Sequence, residues 1–283
     1  MERNIRITVP PKGKYIIETI QRAGFEAYVV GGCVRDSILG REPQDWDITT
    51  SAGPGQVKAL FPRTIDTGLQ HGTVTVMQQG EGFEVTTYRI DGTYEDGRHP
   101  SQVTFTSDLR EDLRRRDLTI NAMAYNDTEG LVDLFGGMAD LEAGVVRCVG
   151  NPRERFEEDA LRILRAIRFS AQLGFCIEEG TAAAIRELAP TLSRISAERI
   201  QAELVKLLVS PRPEYLRIAY DMGVTKVFLP EFDKACETPQ NHPHHCYSVG
   251  EHILKSLEHV EPDKVLRLAM LLHDIGKPAV LTV

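Results

Sequence analysis

Apolar residues recur along the chain in two rhythms, and the change from one to the other falls near residue 150. Lys14 to Ala23 carries helical spacing and stops at Gly24, and the apolar run Phe25 to Val30 then reads as a buried strand. Gly31 and Gly32 open a short helix after it. A second strand is predicted over Asp45 to Thr50. Val74 to Val76 and Phe83 to Tyr88 read as two strands joined by a turn around Gly80 to Gly82. The polar stretch Asp91 to Ser107 predicts a long mobile loop. From Asn151 onward the rhythm is helical: Asn151-Pro152 is a start signal, and Phe156 to Leu173 carries Leu161, Leu164 and Ile167 on one stripe before Gly174 ends it. Further helices are expected over Glu178 to Leu188, Ala197 to Val209 and Lys264 to Leu272. The pattern therefore predicts an α+β part over 1–140, an all-α part over 141–230 and a further helical segment over 231–283.

Composition narrows the class. The 283 residues are 42% hydrophobic and 26% charged, and no stretch approaches the roughly 18 consecutive apolar residues that a membrane-spanning helix needs. The amino terminus lacks the apolar core of a secretory signal, so a cytoplasmic protein is expected. Cys33, Cys148, Cys176, Cys236 and Cys246 show no CxxC spacing, which predicts reduced, buried thiols. The net charge of −8 argues against a nucleic-acid partner, because phosphate binding draws on basic side chains. Yet 24 of the 33 basic residues are arginine, whose planar fork suits phosphates and base edges. Any RNA-binding wall must then be assembled by folding.

The densest chemistry lies in GGCVRDSILGREPQDWDITTS, residues 31–51. In a strand, Asp45 and Asp47 flank Trp46 and project from one side. Two carboxylates converging there repel unless a cation neutralises them, and Mg²⁺, which takes oxygen ligands from carboxylates and phosphates, is the natural choice. Gly31 and Gly32 leave room for close approach, and the helix they open aims N–H groups at a phosphate. Arg35, one turn into that helix, adds a cationic fork.

In this order and spacing the segment resembles the signature of the polymerase-β-like nucleotidyltransferases, and in particular the class II tRNA nucleotidyltransferases (CCA-adding enzymes) and bacterial poly(A) polymerases. The resemblance implies a small mixed sheet with helices as the catalytic head, with Asp45 and Asp47 as catalytic metal ligands and Gly32 and Arg35 holding the triphosphate. RRRDLTINAMAYN (Arg114 to Asn126) looks like the family's second motif, which places Arg116 on the sugar or phosphates and Asn121 on the ribose. LVDLFGGMADL (Leu131 to Leu141) looks like the next. A third carboxylate on a neighbouring strand is usual in the superfamily, and Glu84 is the candidate.

EEDALRILRAIRFSAQLGF (Glu157 to Phe175) resembles the family's nucleotide-selecting helix. Asp159, Arg162 and Arg165 recur every third residue and Arg168 continues the stripe; a carboxylate that accepts and a guanidinium that donates can meet the edge of cytosine or adenine. A helix with these charges could equally be an intrahelical salt-bridge ladder. His245, Val249 and His252 followed by His273-Asp274 resemble the start of an HD-type metal-binding domain. The chain ends nine residues past Asp274 without a later Asp, so a carboxy-terminally shortened HD-like segment is expected.

The resemblance implies Mg-dependent, template-independent addition of CMP and AMP from CTP and ATP to the 3′ end of tRNA, with tRNA as partner and neither DNA nor membrane involved. Partial CC-adding, A-adding or poly(A)-synthesising activity shares these motifs. An HD-type phosphohydrolase and a catalytically silent RNA-binding module are the readings from other classes.

Overall fold

The computed structural model describes residues 5–92, 103–240 and 247–280. It divides into two compact units, one of residues 1–143 with 148–150 and one of residues 144–147 with 151–283.

The first unit runs α1 (Pro11–Arg22), β1 (Ala27–Val30), α2 (Gly32–Ile38), β2 (Ile48–Thr50), α3 (Pro54–Leu60), β3 (Thr64–Gly68), β4 (Thr73–Gln78), β5 (Glu81–Thr87), β6 (Arg89–Asp91), β7 (Val103–Phe105), α4 (Leu109–Arg114), β8 (Met123–Asn126), β9 (Gly130–Asp133) and α5 (Gly137–Ala143). Seven strands form one sheet in the order β3-β4-β5-β2-β1-β8-β9. It is mixed, as expected: β2 lies parallel to β5 while the other neighbours pair antiparallel. All four residues of β1 are buried, the state of a central strand covered on both faces, which is why it reads as an unbroken apolar run. Tyr28 and Val30 share one face of β1 and pack with Leu109 and Leu113 of α4 and Ala124 of β8. α1 packs against β1 and buries Ile16, Ile17 and Ile20; each such side chain contributes about 1.5–3 kcal/mol.

Three details of the head differ from expectation. The β4–β5 turn sits at Gln79-Gly80, both with positive φ (49° and 83°), the pair that a two-residue I′ turn requires. Gly82 lies inside β5, opposite Met77. The loop expected over Asp91 to Ser107 is flanked by strand, since Arg89, Ile90 and Asp91 pair with Phe105, Thr104 and Val103; residues 93–102 lie outside the described residues. The strand expected from Asp45 begins only at Ile48, although the Asp47 carbonyl still accepts from the Val30 N–H at 3.0 Å.

The second unit is helical apart from a short parallel pair, β10 (Val145–Val146) with β11 (Cys176–Ile177). Its helices are α6 (Pro152–Glu158), α7 (Leu161–Leu173), α8 (Glu179–Leu188), α9 (Ala197–Leu208), α10 (Leu216–Asp221), α11 (Thr225–Phe228), α12 (Pro230–Glu237), α13 (Val249–Glu258), α14 (Lys264–Leu272) and α15 (Lys277–Val280). The single helix expected from Phe156 to Leu173 is therefore two. Asp159 breaks it, with extended φ/ψ of −147° and 106° and a side chain that accepts from the Leu161 N–H at 3.0 Å. Aspartate prefers such a cap to a helix interior because its short side chain competes for backbone donors. Gly174, with φ 74°, ends α7 as expected. Arg267 is buried on α14 and donates to the Leu208 carbonyl at the end of α9.

Among the described cysteines all are free thiols, but only Cys33 and Cys148 are buried; Cys176 is exposed and Cys236 partly so. The uniform burial expected of them does not hold. Cys246 and His245 lie outside the described residues. Among the described residues, no helix is long and apolar enough to cross a membrane.

Candidate active site

In the head, the parallel β2–β5 ladder sets Ile48 opposite Val85, so the residues before them fall side by side, Asp47 just ahead of β2 and Glu84 midway along β5. Asp45, Asp47 and Glu84 all keep solvent access. Surrounding protein nevertheless desolvates Asp47 enough to raise its carboxyl above the usual range; the Arg116 guanidinium opposes that shift, while Glu84 and Asp45 add to it. The three carboxylates thus form one electrostatic group, and Glu84 stands where a third carboxylate was expected. They offer only oxygen and repel one another, the donor set of a hard divalent cation. They are not gathered into a closed cluster: among the described residues, only His252, His273 and Asp274 bring three such ligand atoms within 4.8 Å of one another.

Arg116 is the countercharge. It lies within 3.6 Å of Asp112, a fully buried carboxylate on α4 that also accepts from Arg115 Nη2 at 2.7 Å and from Thr49 Oγ1 at 3.0 Å. Burial acts to raise the Asp112 carboxyl, but Arg115 and Arg116 outweigh it and hold it below the usual range. Desolvation lowers the Arg116 pKa, against the pull of Asp112, and its Nε is buried without a hydrogen-bond partner. An incompletely satisfied guanidinium beside a carboxylate group is suited to an anionic ligand. The sequence left Asp112 unremarked, although its i,i+3 and i,i+4 spacing to Arg115 and Arg116 was a usable signal.

Gly31 carries φ 82°, a conformation that favours glycine, and a Cβ there would meet Arg116 Nη1 at 3.1 Å. The sharp turn and the close approach of Arg116 both depend on it. At Gly32 the nearest protein atom to such a Cβ is Arg35 Nη2 at 3.7 Å, an ordinary contact, so the open side of Gly32 faces away from protein. Arg35 differs from the expected outward fork: it is buried, pairs with Asp36 through Nε and Nη2, each at 2.9 Å, and donates to Asn121 Oδ1 at 2.6 Å. Its charge is largely answered by the adjacent Asp36, and it braces Asn121.

In the second unit the expected stripe does not hold as one surface. Asp159 stands outside α7, and within α7 steps of three residues turn the helix by about 300°, so the row drifts about 60° per step and Arg168 stands about 120° round from Arg162. Arg168 is buried, paired with Glu203 of α9, bonded to Gln172 and stacked 3.9 Å above the Phe169 ring. Arg165 lies over the same ring at 5.7 Å. Arg162 pairs with Glu158 and donates to the Arg155 carbonyl at 3.3 Å. Asp159 Oδ2 accepts from Arg199 Nη2 at 2.6 Å. Arg168 is thus in a salt bridge, but to another helix rather than in the intrahelical ladder, while Asp159 and Arg162 sit together at the α6–α7 break. Arg199 and Glu203 escaped the sequence reading, though Glu203 falls in the buried stripe of α9 with Ile200 and Leu207, where a carboxylate needs a partner.

A separate cluster joins α13 to the end of α14: His252 Nε2 lies 3.2 Å from His273 Nε2, and Asp274 Oδ2 lies 3.6 and 3.4 Å from them. Burial acts to raise the Asp274 carboxyl, but the hydrogen bond from Lys277 and the His273 charge lower it overall.

Comparison with known proteins places these features in one lineage. Residues 27–147 match the poly A polymerase head domain, and residues 174–236 match a probable RNA- and SrmB-binding site of polymerase A. The chain is 54% identical over 200 residues, 71% of its length and 49% of the relative's, to a CCA-adding enzyme of Lactiplantibacillus plantarum. It is 53% identical over 194 residues, 69% of its length and 48% of the relative's, to one of Enterococcus faecalis. It spans about half the length of the curated relatives it matches. Among solved structures it is similar to the Bacillus stearothermophilus CCA-adding enzyme in complex with CTP, with a TM-score of 0.81 and 35% identity, covering 97% of this chain and 67% of that one. A Thermotoga maritima CCA-adding enzyme complexed with tRNA aligns with a TM-score of 0.70 at 25% identity, covering 97% and 68%. By these matches the chain belongs to the CCA-adding enzyme and poly(A) polymerase family, whose nucleotidyltransferase heads are divalent-metal dependent.

Proposed function

We propose that the chain adds CMP and AMP from CTP and ATP to the 3′ end of tRNA in the cytoplasm, with Mg²⁺ as its cation. The observation that carries this reading is the repelling carboxylate group of Asp45 and Asp47, ahead of β2, and Glu84, midway along β5, faced by Arg116. Asp45 and Asp47 would hold the cation, with Glu84 beside them. When bound, the cation neutralises charge on the phosphates and lowers the pKa of the RNA 3′-hydroxyl. The 3′ oxygen forms its bond to the α-phosphorus in line as the bond to the β-phosphate oxygen breaks, and pyrophosphate leaves.

The chain's own groups orient this step. Backbone N–H groups at Gly32 suit the triphosphate because the first turn of a helix leaves them unsatisfied. Arg116 answers the sugar and phosphates, and Arg35 acts through Asn121. Asp159 and Arg162 select the base, Arg165 lies beside them, and Arg168 anchors α7 to α9. The domain allotment proposed is catalysis over 1–140, nucleotide selection and RNA binding over 141–230, and an HD-like segment over 231–283. Incubation with Mg²⁺, CTP, ATP and tRNA lacking its 3′ CCA should extend the tRNA by three nucleotides. Two-nucleotide or single-nucleotide products identify a partial enzyme, and long A-tails a poly(A) polymerase. Full extension by Asp45→Ala or Asp47→Ala would remove the mechanism.

The cluster His252, His273 and Asp274 favours a second, independent reading of the carboxy-terminal segment as an HD-type metal-dependent phosphohydrolase. It predicts phosphatase activity that survives Asp47→Ala and is lost with His273→Ala.

A further inference from the structure

We infer that Arg199 is a positioning residue that aims the carboxylate of Asp159, and thereby sets which nucleotides are accepted. The inference rests on the reading of Asp159 as a base-selecting group.

Asp159 is extended, not helical, so the helix backbone does not set the direction of its side chain. Two hydrogen bonds do. Oδ1 accepts from the Leu161 N–H at 3.0 Å, and Oδ2 accepts from Arg199 Nη2 at 2.6 Å. The first joins the carboxylate to the start of α7; the second fixes its rotation from outside, across to α9. The pair is mostly sheltered, with 15% exposure at Asp159 and 21% at Arg199. Arg199 is itself held in place, because Glu203, one turn further along α9, pairs with buried Arg168 of α7. Two ion pairs of opposite sense therefore seat α9, Glu203 on Arg168 of α7 and Arg199 on Asp159 at the α6–α7 break. Arg162, the complementary donor, is braced by Glu158 and the Arg155 carbonyl.

Base chemistry explains why aim matters. Cytosine and adenine both present an exocyclic amino donor where uracil and guanine present a carbonyl acceptor. A fixed carboxylate accepts from the amino group of the first two and disfavours the carbonyl that the others place there. Freed to rotate, it could turn away, exposing donors such as Arg162 to either carbonyl. Arg199 thus converts a mobile acid into a directional acceptor, without touching the base itself.

The test measures kcat/KM for CTP, UTP, ATP and GTP on tRNA lacking its 3′ CCA, with melting temperatures, for wild type, R199Q and R199K. R199Q is expected to lower the CTP-to-UTP and ATP-to-GTP ratios by at least about tenfold. R199K, which keeps the charge but not the planar fork, is expected to lower them about threefold. A clamp that is merely structural lowers melting temperature and all four rates together and leaves the ratios within twofold; that result overturns the inference. Should R199Q not fold, R199K decides alone, and unchanged ratios in it are equally fatal. A wild type with no preference for CTP and ATP overturns the parent reading and takes this inference with it.

Discussion

The two units treat charge in opposite ways. In the head, Asp45, Asp47 and Glu84 repel one another, and Arg116 keeps a buried Nε without a partner. In the second unit, Arg162, Arg168 and Arg199 each meet a carboxylate of their own. Balanced charges hold helices together. Imbalance, maintained against its own energetic cost, marks where an outside charge is to be accommodated. The row of arginines that looked most like a binding surface therefore has a largely structural end at Arg168, whereas the acidic group around Asp47 is the more informative constellation.

The contrast can be broken most sharply at Asp47. Asp47→Asn should cut nucleotide incorporation by about a thousandfold or more, as expected when a transition-state group is lost, while leaving the melting temperature of the metal-free protein unchanged or higher. The sign follows from its raised pKa: the folded state favours the protonated acid, so the ionised group costs stability as pH rises through the folded value. A large loss of stability would show that Asp47 is balanced after all.

Glu203→Gln probes the opposite regime. It leaves Arg168 buried without its countercharge and should destabilise the second unit by about 3–5 kcal/mol, read from denaturant unfolding. A change under about 1 kcal/mol would mean that Gln172 and the Phe169 ring suffice for Arg168.

Asp112, like Asp36 beside Arg35, is a balanced carboxylate within the head. Its lowered pKa makes its stabilisation fully present above the ordinary value of about 3.8 and lost as pH falls through the folded value below that. Asp112→Asn should thus destabilise the protein at neutral pH and remove that part of the acid sensitivity, which a pH series of unfolding curves would detect.

The smallest effect expected is at Asn151, whose Oδ1 accepts from the Arg153 N–H at 3.0 Å and caps α6. Asn151→Ala should cost about 1 kcal/mol with no change in nucleotide preference. A shifted preference would show that α6, which carries Glu158, takes part in selection.

Much of this arrangement was legible in sequence because local rules govern it. The apolar run of β1, the Gly174 stop and the span of α14 each follow from periodicity and capping chemistry. The order of glycines and aspartates over residues 31–47 carried the family likeness. What sequence left open lay in partners distant along the chain. Nothing near Arg35 announced Asn121, and nothing near Asp159 announced Arg199, 40 residues away. The helix break at Asp159 was misread because three apolar residues kept helical spacing beyond it, and periodicity counts side chains without sensing a cap. Glu84 was a candidate through the family likeness alone; its place beside Asp47 comes from the parallel register of β2 and β5, a pairing that no local pattern encodes.

Cys33 gives the head a built-in clock. Its thiol is 3% exposed, and burial, with the Asp47 charge nearby, pushes its pKa up to about 12, so an alkylating reagent finds neither access nor thiolate at neutral pH. Labelling must then wait for the β1–α2 joint to open, and its rate reports how often that happens. Cys176, already exposed, reacts at once and serves as the internal standard. A ligand that settles between Gly32 and Asp47 should slow the clock, allowing occupancy to be timed without any turnover.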